Sequence, residues 1–215
     1  MRNRVRDDLN RGTMSASLDT LALSPEAQDL LFTGARTANA FTDEPVTDEQ
    51  LRQVYELVKW GPTSMNNQPL RIVYVRGEGS RERLLPHLGE GNRAKTASAP
   101  VVAILAADTS FHEHFPRTFP HFEGARDLFA DKLDVRDSVA RLNAGLQIGY
   151  FILGVRAAGL AAGPMSGFDA EGVRQEFLAD TTLQPLVIVN IGHPDHSGTF
   201  GRLLRLEHDE VVSEV

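Results

Sequence analysis

The chain has no cysteine. Disulfides, thiolate zinc sites and cysteine nucleophiles are therefore excluded, and a reducing compartment suits the composition. The expected location is the cytoplasm. Positive charge is also in deficit, with 22 Lys+Arg against 29 Asp+Glu and a formal net charge of -7. That balance argues against a general nucleic-acid or anionic-membrane surface, but not against local cationic pockets for phosphates. Long apolar runs are missing too. The longest, residues 146–160, is interrupted by Gln147, Arg156 and glycines and is too short to span a bilayer. A soluble protein is expected. The opening MRNRVRDDLNRGT is charged and has no secretory pattern, and Met14 is a candidate second start. Residues 1–23 are expected to be a disordered tail before a single domain over 24–215.

The usual enzymatic motifs are also absent. GPMSG around Ser166 lacks the glycine two residues before the serine, so it is no nucleophile elbow. GEGSRER at Gly77 lacks the lysine and the spacing of a phosphate-binding loop. His112, His114 and His121 sit in an irregular aromatic segment without fixed ligand spacing, so no metal is expected. No repeat or linker divides the chain.

What is present is a series of well-marked elements. Ser24 and Pro25 open a short helix. Thr47 with Gln50 has the spacing of a capping box, and Leu51, Val54, Tyr55 and Val58 form an apolar stripe behind it. Gly61 and Pro62 close that helix. Residues 70–75 and 100–107 read as strands, 80–88 as a short charged helix, and 186–191 as a buried strand ending at Gly192. Between Asp108 and Leu133 five phenylalanines recur among His, Pro and charged residues, which suits a pocket cover with short helical pieces. Residues 138–159 carry the longest helical pattern, amphipathic through Val139, Leu142 and Leu146 and then apolar almost all round. Gly145, Gly149 and Gly154 permit close helix contact, so this helix suits a subunit interface or the centre of a monomer. Asp169 caps a helix through Val173, Phe177 and Leu178. These elements make one α+β domain.

Four polar groups remain: Arg36, Thr37 and Asn39; Thr63 to Gln68; Gly163 to Gly167; Arg202 and Arg205. Singly, each reads as a surface cation, an elaborate turn or a helix stop. Together they make one demand. Cations from both ends of the chain suit a phosphate, an amide-rich loop suits the edge of a heterocycle, and a Gly-flanked turn exposes backbone N–H groups. A phosphate, a polar edge and a planar ring describe flavin mononucleotide (FMN).

The sequence resembles the flavin-dependent nitroreductase superfamily in ARTANAF at Ala35–Phe41, GPTSMNNQP at Gly61–Pro69, GLAAGPMSGF at Gly159–Phe168 and VIVNIGHP at Val187–Pro194. KWGPTS, GNRAKT at Gly91–Thr96 and GPMSGFD resemble its malonic semialdehyde reductases of pyrimidine degradation most closely. The resemblance implies a central, mostly antiparallel sheet flanked by helices, in an intertwined homodimer with FMN at the subunit interface. It implies that Arg36, Thr37 and Asn39 grip the phosphate end with Arg205 and Arg202. Pro62, Thr63, Ser64 and Asn66 then line the ring, and the backbone of Met165, Ser166 and Gly167 faces N5. Asn39 replaces a residue often basic in the family, and Arg205 stands near a common lysine. The implied activity is ping-pong hydride transfer from NADH or NADPH, with the chemistry on FMN. A semialdehyde carboxylate would need a cation, for which Lys95 or Arg93 is the candidate. Reduction of nitroaromatics or quinones is the alternative acceptor class. A non-catalytic flavin-binding protein and a colourless dimeric interaction protein are the alternatives of other classes.

Overall fold

The computed structural model describes residues 21–215. Most of the expected tail, Met14 included, lies outside the described residues. The Ser24 hydroxyl accepts the Ala27 N–H at 3.3 Å and opens α1 (Pro25–Gln28), which runs into a π-helical turn, Asp29–Thr33. α2 (Asp48–Val58) starts with the expected capping box. Gln50 N–H donates to Thr47 Oγ1 at 3.1 Å, and Thr47 N–H donates to Gln50 Oε1 at 2.8 Å. Leu51, Val54 and Val58 are buried, but Tyr55 is half exposed, so the apolar stripe is narrower than expected.

The sheet comprises β1 (Leu70–Val75), β2 (Val101–Asp108), β3 (Ala161–Met165) and β4 (Leu183–Gly192), ordered β1-β2-β4-β3. Every pair is antiparallel. β2 is buried along its whole length, because alternate side chains serve two cores. Val101, Ala103 and Leu105 join Val54 and Phe151 on one face, and Val102, Ile104 and Ala106 join Leu84 and Val173 on the other. An apolar run without alternation is the expected signature of such a strand.

α3 (Glu78–Leu84) is shorter than the expected 80–88 helix, because Pro86 belongs to a following 3-10 turn, Leu85–His87. α4 (Glu90–Ala97) was not anticipated, since EGNRAKTA has no apolar period. The segment after β2 holds a 3-10 turn, Phe111–His114, and α5 (Phe115–Thr118). It is more than a cover. Phe111 and Phe115 are buried against Ala107, Ala140 and Ala144 as a third core, with Phe111 and Phe129 edge-to-face at 5.3 Å. His112 is buried beside them, its Nε2 3.0 Å from Arg136 Nη1.

α6 (Leu133–Ala157) begins five residues earlier than the pattern indicated. Its buried face is Ala140, Asn143, Ala144, Gln147, Ile148 and Phe151, whereas Leu142 is 69% and Leu146 51% exposed. Two residues of the expected amphipathic stripe thus face outward, as a helix presenting an apolar face beyond its own core would. A Cβ on Gly154 would meet Val58 Cγ1 at 2.2 Å, so α6 and α2 cross there in close contact. α7 (Ala170–Phe177) is capped by Asp169 as expected, and α8 (His208–Val211) lies in an exposed C-terminal segment. No described helix is long and apolar enough to cross a membrane.

Candidate active site

Three arginines, Arg36, Arg156 and Arg202, converge on the backbone of residues 31–35. Arg36 Nη1 donates to the carbonyls of Thr33, Gly34 and Ala35 at 3.2, 3.0 and 3.0 Å. Arg202 Nη2 donates to the same Thr33 and Ala35 carbonyls, the latter at 3.2 Å. Arg156, in the last turn of α6, donates to the Leu31 carbonyl at 2.9 Å. Arg205 is exposed and donates to the Leu203 and Leu204 carbonyls. Burial, then the like charges of Arg36 and Arg205, lowers the Arg202 pKa below the usual arginine value; burial alone lowers that of Arg156. None of the four forms an ion pair among the described residues. Unpaired guanidinium groups so close together favour a dianion.

The next residues lie along β3. Ala38 N–H donates to the Ala162 carbonyl at 3.0 Å, and Asn39 Nδ2 donates to the Thr37 carbonyl at 3.4 Å. A Cβ on Gly163 would stand 2.5 Å from the Ala38 oxygen, so only glycine admits this approach. GPMSG is therefore no simple turn. Gly163 to Met165 complete β3, and only Ser166 and Gly167 turn away from the sheet.

That turn is clamped from α4. The Gly167 carbonyl accepts Gly89 N–H at 2.9 Å and Asn92 Nδ2 at 3.0 Å, and the Ser166 carbonyl accepts Phe168 N–H at 3.0 Å. The N–H groups of Ser166 and Gly167 donate to no acceptor among the described residues. Beneath, Asn190 Nδ2 donates to Thr96 Oγ1 at 3.0 Å, and that hydroxyl lies 3.8 Å from Met165 Sδ.

The amide loop is built differently. Met65, Asn66 and Gln68 take positive φ values of 51°, 50° and 41°, conformations that L side chains rarely adopt. Ser64 N–H donates to Asn143 Oδ1 at 2.8 Å and Gln68 N–H to Thr63 Oγ1 at 3.2 Å. Asn66 Nδ2 donates to the Thr118 carbonyl at 2.8 Å and Asn66 Oδ1 accepts from Gln68 Nε2 at 2.8 Å. Several of the amides thus hold the loop itself. Pro62 and Ser64 are exposed.

These groups do not all meet within one chain. The amide loop leads into β1 at one edge of the sheet, and Arg36 to Asn39 lie along β3 at the other. Three strand spacings separate the edges by about 14 Å. Asn143 and Arg156 mark the two ends along α6, about 20 Å apart at 1.5 Å per residue.

A groove of about 670 Å³ runs between α2 and the open edge of β1. Leu51, Val58, Leu70 and Ile72 line it, with Tyr74, whose hydroxyl pKa is pushed up to about 12 by burial. Arg52, Lys59, Arg71, Arg76 and Arg117 also line it, the first four paired with Glu49, Glu56, Asp108 and Asp48. Of the substrate cations, Arg93 is engaged with the Leu88 and Pro86 carbonyls at 3.0 and 3.4 Å. The Lys95 ammonium makes no hydrogen bond or ion pair among the described residues, while the Lys95 carbonyl accepts the Ser98 hydroxyl at 3.3 Å. No three His, Asp or Glu side chains among them come together as a metal site.

Residues 33–193 match the model described as the nitroreductase family. The chain belongs to the nitroreductase family. Two relatives support the membership. A Streptomyces griseus protein, whose name proposes an NADH dehydrogenase/NAD(P)H nitroreductase, is 60% identical over 91% of this chain and 100% of its own length. A similarly named protein of Leptothrix cholodnii is 52% identical over 91% of this chain and 97% of its own. Among solved structures, a nitroreductase-like protein of Exiguobacterium sibiricum in complex with FMN superposes with a TM-score of 0.76. At 17% identity, covering 91% of this chain and 100% of that one, it shows the nitroreductase fold. The expectations of an α+β nitroreductase fold and of an NAD(P)H-linked oxidoreductase accord with this membership.

Within this nitroreductase, the expected phosphate group is brought together: Arg36 and Arg202 share carbonyls, and Arg205 is near enough to perturb Arg202. Pro62 to Asn66 stand apart from Met165 to Gly167. Arg156, Asn92 and Asn143 were given no role by the sequence reading. Arg156 could have been found as a basic residue in the last turn of α6; Asn92 lies in the GNRAKT motif, but its carbonyl partner is 75 residues away and no local spacing assigns it.

Proposed function

We propose that the chain is an FMN-dependent NAD(P)H oxidoreductase, working as an intertwined homodimer and reducing malonic semialdehyde to 3-hydroxypropionate. The donor set fits FMN. Arg36 and Arg202, with Arg205, would hold the phosphate; Thr37 and Asn39 would lie beside the ribityl chain; and the Ser166 and Gly167 N–H groups would meet the polar edge of the ring. Hydride relay from a nicotinamide to an acceptor is the chemistry FMN supplies when bound. The chain's own work is to orient the ring and exclude water.

The dimer is supported by the separation of the two halves of the site: Pro62, Thr63, Ser64 and Asn66 would come to the ring from a second copy. Leu142, Leu146 and Tyr150 give α6 an exposed apolar face to meet that copy. The C-terminal segment supports intertwining. Leu206, Val211 and Val212 are exposed, and the apolar lining of the groove beside β1, Leu51, Val58, Leu70 and Ile72, would receive them in a second copy.

The observation that carries the acceptor class is Lys95. It shares a face of α4 with Asn92, whose amide reaches the Ser166–Gly167 turn, and its ammonium has no partner there. It would take the carboxylate of an acid aldehyde, whose carbonyl carbon accepts the hydride and whose oxygen accepts a proton. The names of the relatives favour nitroarenes as a second reading. Anaerobic rapid-reaction measurements on the nicotinamide-reduced protein decide: malonic semialdehyde reoxidises it faster than a quinone or a nitroarene. Lys95→Met should raise KM for the acid aldehyde alone, and an equal effect on a neutral quinone removes Lys95 from the reading.

A further inference from the structure

We infer that Asn92 is a positioning residue that sets the reduction potential of the bound flavin by fixing the direction of the Gly167 N–H. The inference rests on the proposal that FMN lies against Ser166–Gly167, and it concerns a side chain that makes no demand on the cofactor itself. A trans peptide points its N–H opposite to its C=O. The Ser166 carbonyl is turned toward Phe168 N–H at 3.0 Å, so the Gly167 N–H of the same peptide is aimed the other way, where no described group receives it. The following peptide is locked by its own carbonyl. Gly167 O uses both lone pairs, one on Gly89 N–H at 2.9 Å and one on Asn92 Nδ2 at 3.0 Å.

The fit around this clamp is tight from three sides. A Cβ on Gly89 would stand 3.1 Å from Gly167 O, and a Cβ on Gly167 would stand 3.0 Å from Asn92 Nδ2. The Asp169 N–H donates to the His87 carbonyl at 2.7 Å, tying the far side of the turn to the same connection. Among the described residues Asn92 is the one side chain that bonds to the turn, and it does so from a helix, which holds direction better than a loop. A donor fixed in direction favours the more electron-rich form of the ring over the oxidised form, and the difference appears as potential.

The test is the two-electron midpoint potential of the FMN-loaded full chain, with FMN stoichiometry and Tm measured on the same samples. Asn92→Ala is expected to keep FMN while its potential moves about 30 mV negative, the equivalent of a tenfold change in the oxidation–reduction equilibrium of a two-electron couple. Asn92→Ser, whose hydroxyl falls short of the Gly167 carbonyl, should shift in the same direction and serves if the alanine variant does not fold. Variants that hold FMN at the wild-type potential, whatever their Tm, overturn the inference. A wild-type chain that takes up no FMN overturns the flavin proposal beneath it, which is a different result.

Discussion

Arg36 and Arg202 stand far apart in the chain and donate to the same two carbonyls, those of Thr33 and Ala35. Carbonyl oxygens satisfy guanidinium donors without neutralising them, so the charge stays available for an anion. Arg202→Gln should weaken FMN binding about tenfold, close to 1.4 kcal/mol. Because the two arginines share partners, Arg36→Gln with Arg202→Gln should weaken it by less than the product of the single effects. Fluorescence titration with FMN measures both, and independent, multiplicative losses would show that the arginines do not form one site.

Gly163→Ala tests how the arginine segment is seated. The new methyl would press on the Ala38 carbonyl from 2.5 Å, and neither β3 nor the Arg36–Asn39 segment can yield without losing the Ala38–Ala162 hydrogen bond. A loss of about 1–3 kcal/mol is expected, the usual cost of overpacking. Denaturant unfolding reads it directly; an unchanged midpoint would mean that the segment is not held against β3.

The outward face of α6 gives a third expectation. Leu146→Glu places a carboxylate on a side chain that is half exposed in the protomer, so the isolated fold should keep its helical circular dichroism. If the proposed homodimer uses this face, sedimentation should show monomers in place of dimers, with FMN lost alongside. Retained dimers would move the interface elsewhere.

A fourth concerns pH. His112 is held below the usual histidine pKa, first by burial and then by the Arg136 and Arg126 charges, against the opposing pull of Glu113 and Asp108. With the folded value depressed, the unfolded chain binds the extra proton first. Stability is therefore full above the unfolded pKa of about 6.5 and falls as pH drops through that value toward the folded one. Tm should decline between pH 7 and pH 5, and His112→Gln should flatten part of that decline. Parallel curves for the two proteins would acquit His112.

Local chemistry made part of this fold readable beforehand. Thr47 with Gln50 and Asp169 before Val173 mark helix starts because caps act over three residues. β2 announced itself because burial on both faces leaves no polar position. α4 was invisible because its contacts are polar and distant: Asn92 to Gly167, Thr96 to Asn190. For Leu142 and Leu146 the choice between subunit interface and monomer centre stayed open, because periodicity identifies an apolar face without saying what covers it. At the site, residue types pointed to a phosphate and a ring. The crossing of the chain that sends the amide loop and the arginines to opposite sheet edges is a property of topology, and no local spacing encodes it.

The central claim is that this chain holds FMN and passes reducing equivalents from a nicotinamide to an acceptor. The most direct measurement is anaerobic absorbance of the full-length protein after reconstitution with FMN and removal of the excess. The account predicts one FMN per chain, flavin bands that bleach on addition of NADH or NADPH, and their return on addition of malonic semialdehyde. A chain that retains no FMN, or a yellow one whose bands neither nicotinamide bleaches, would contradict it.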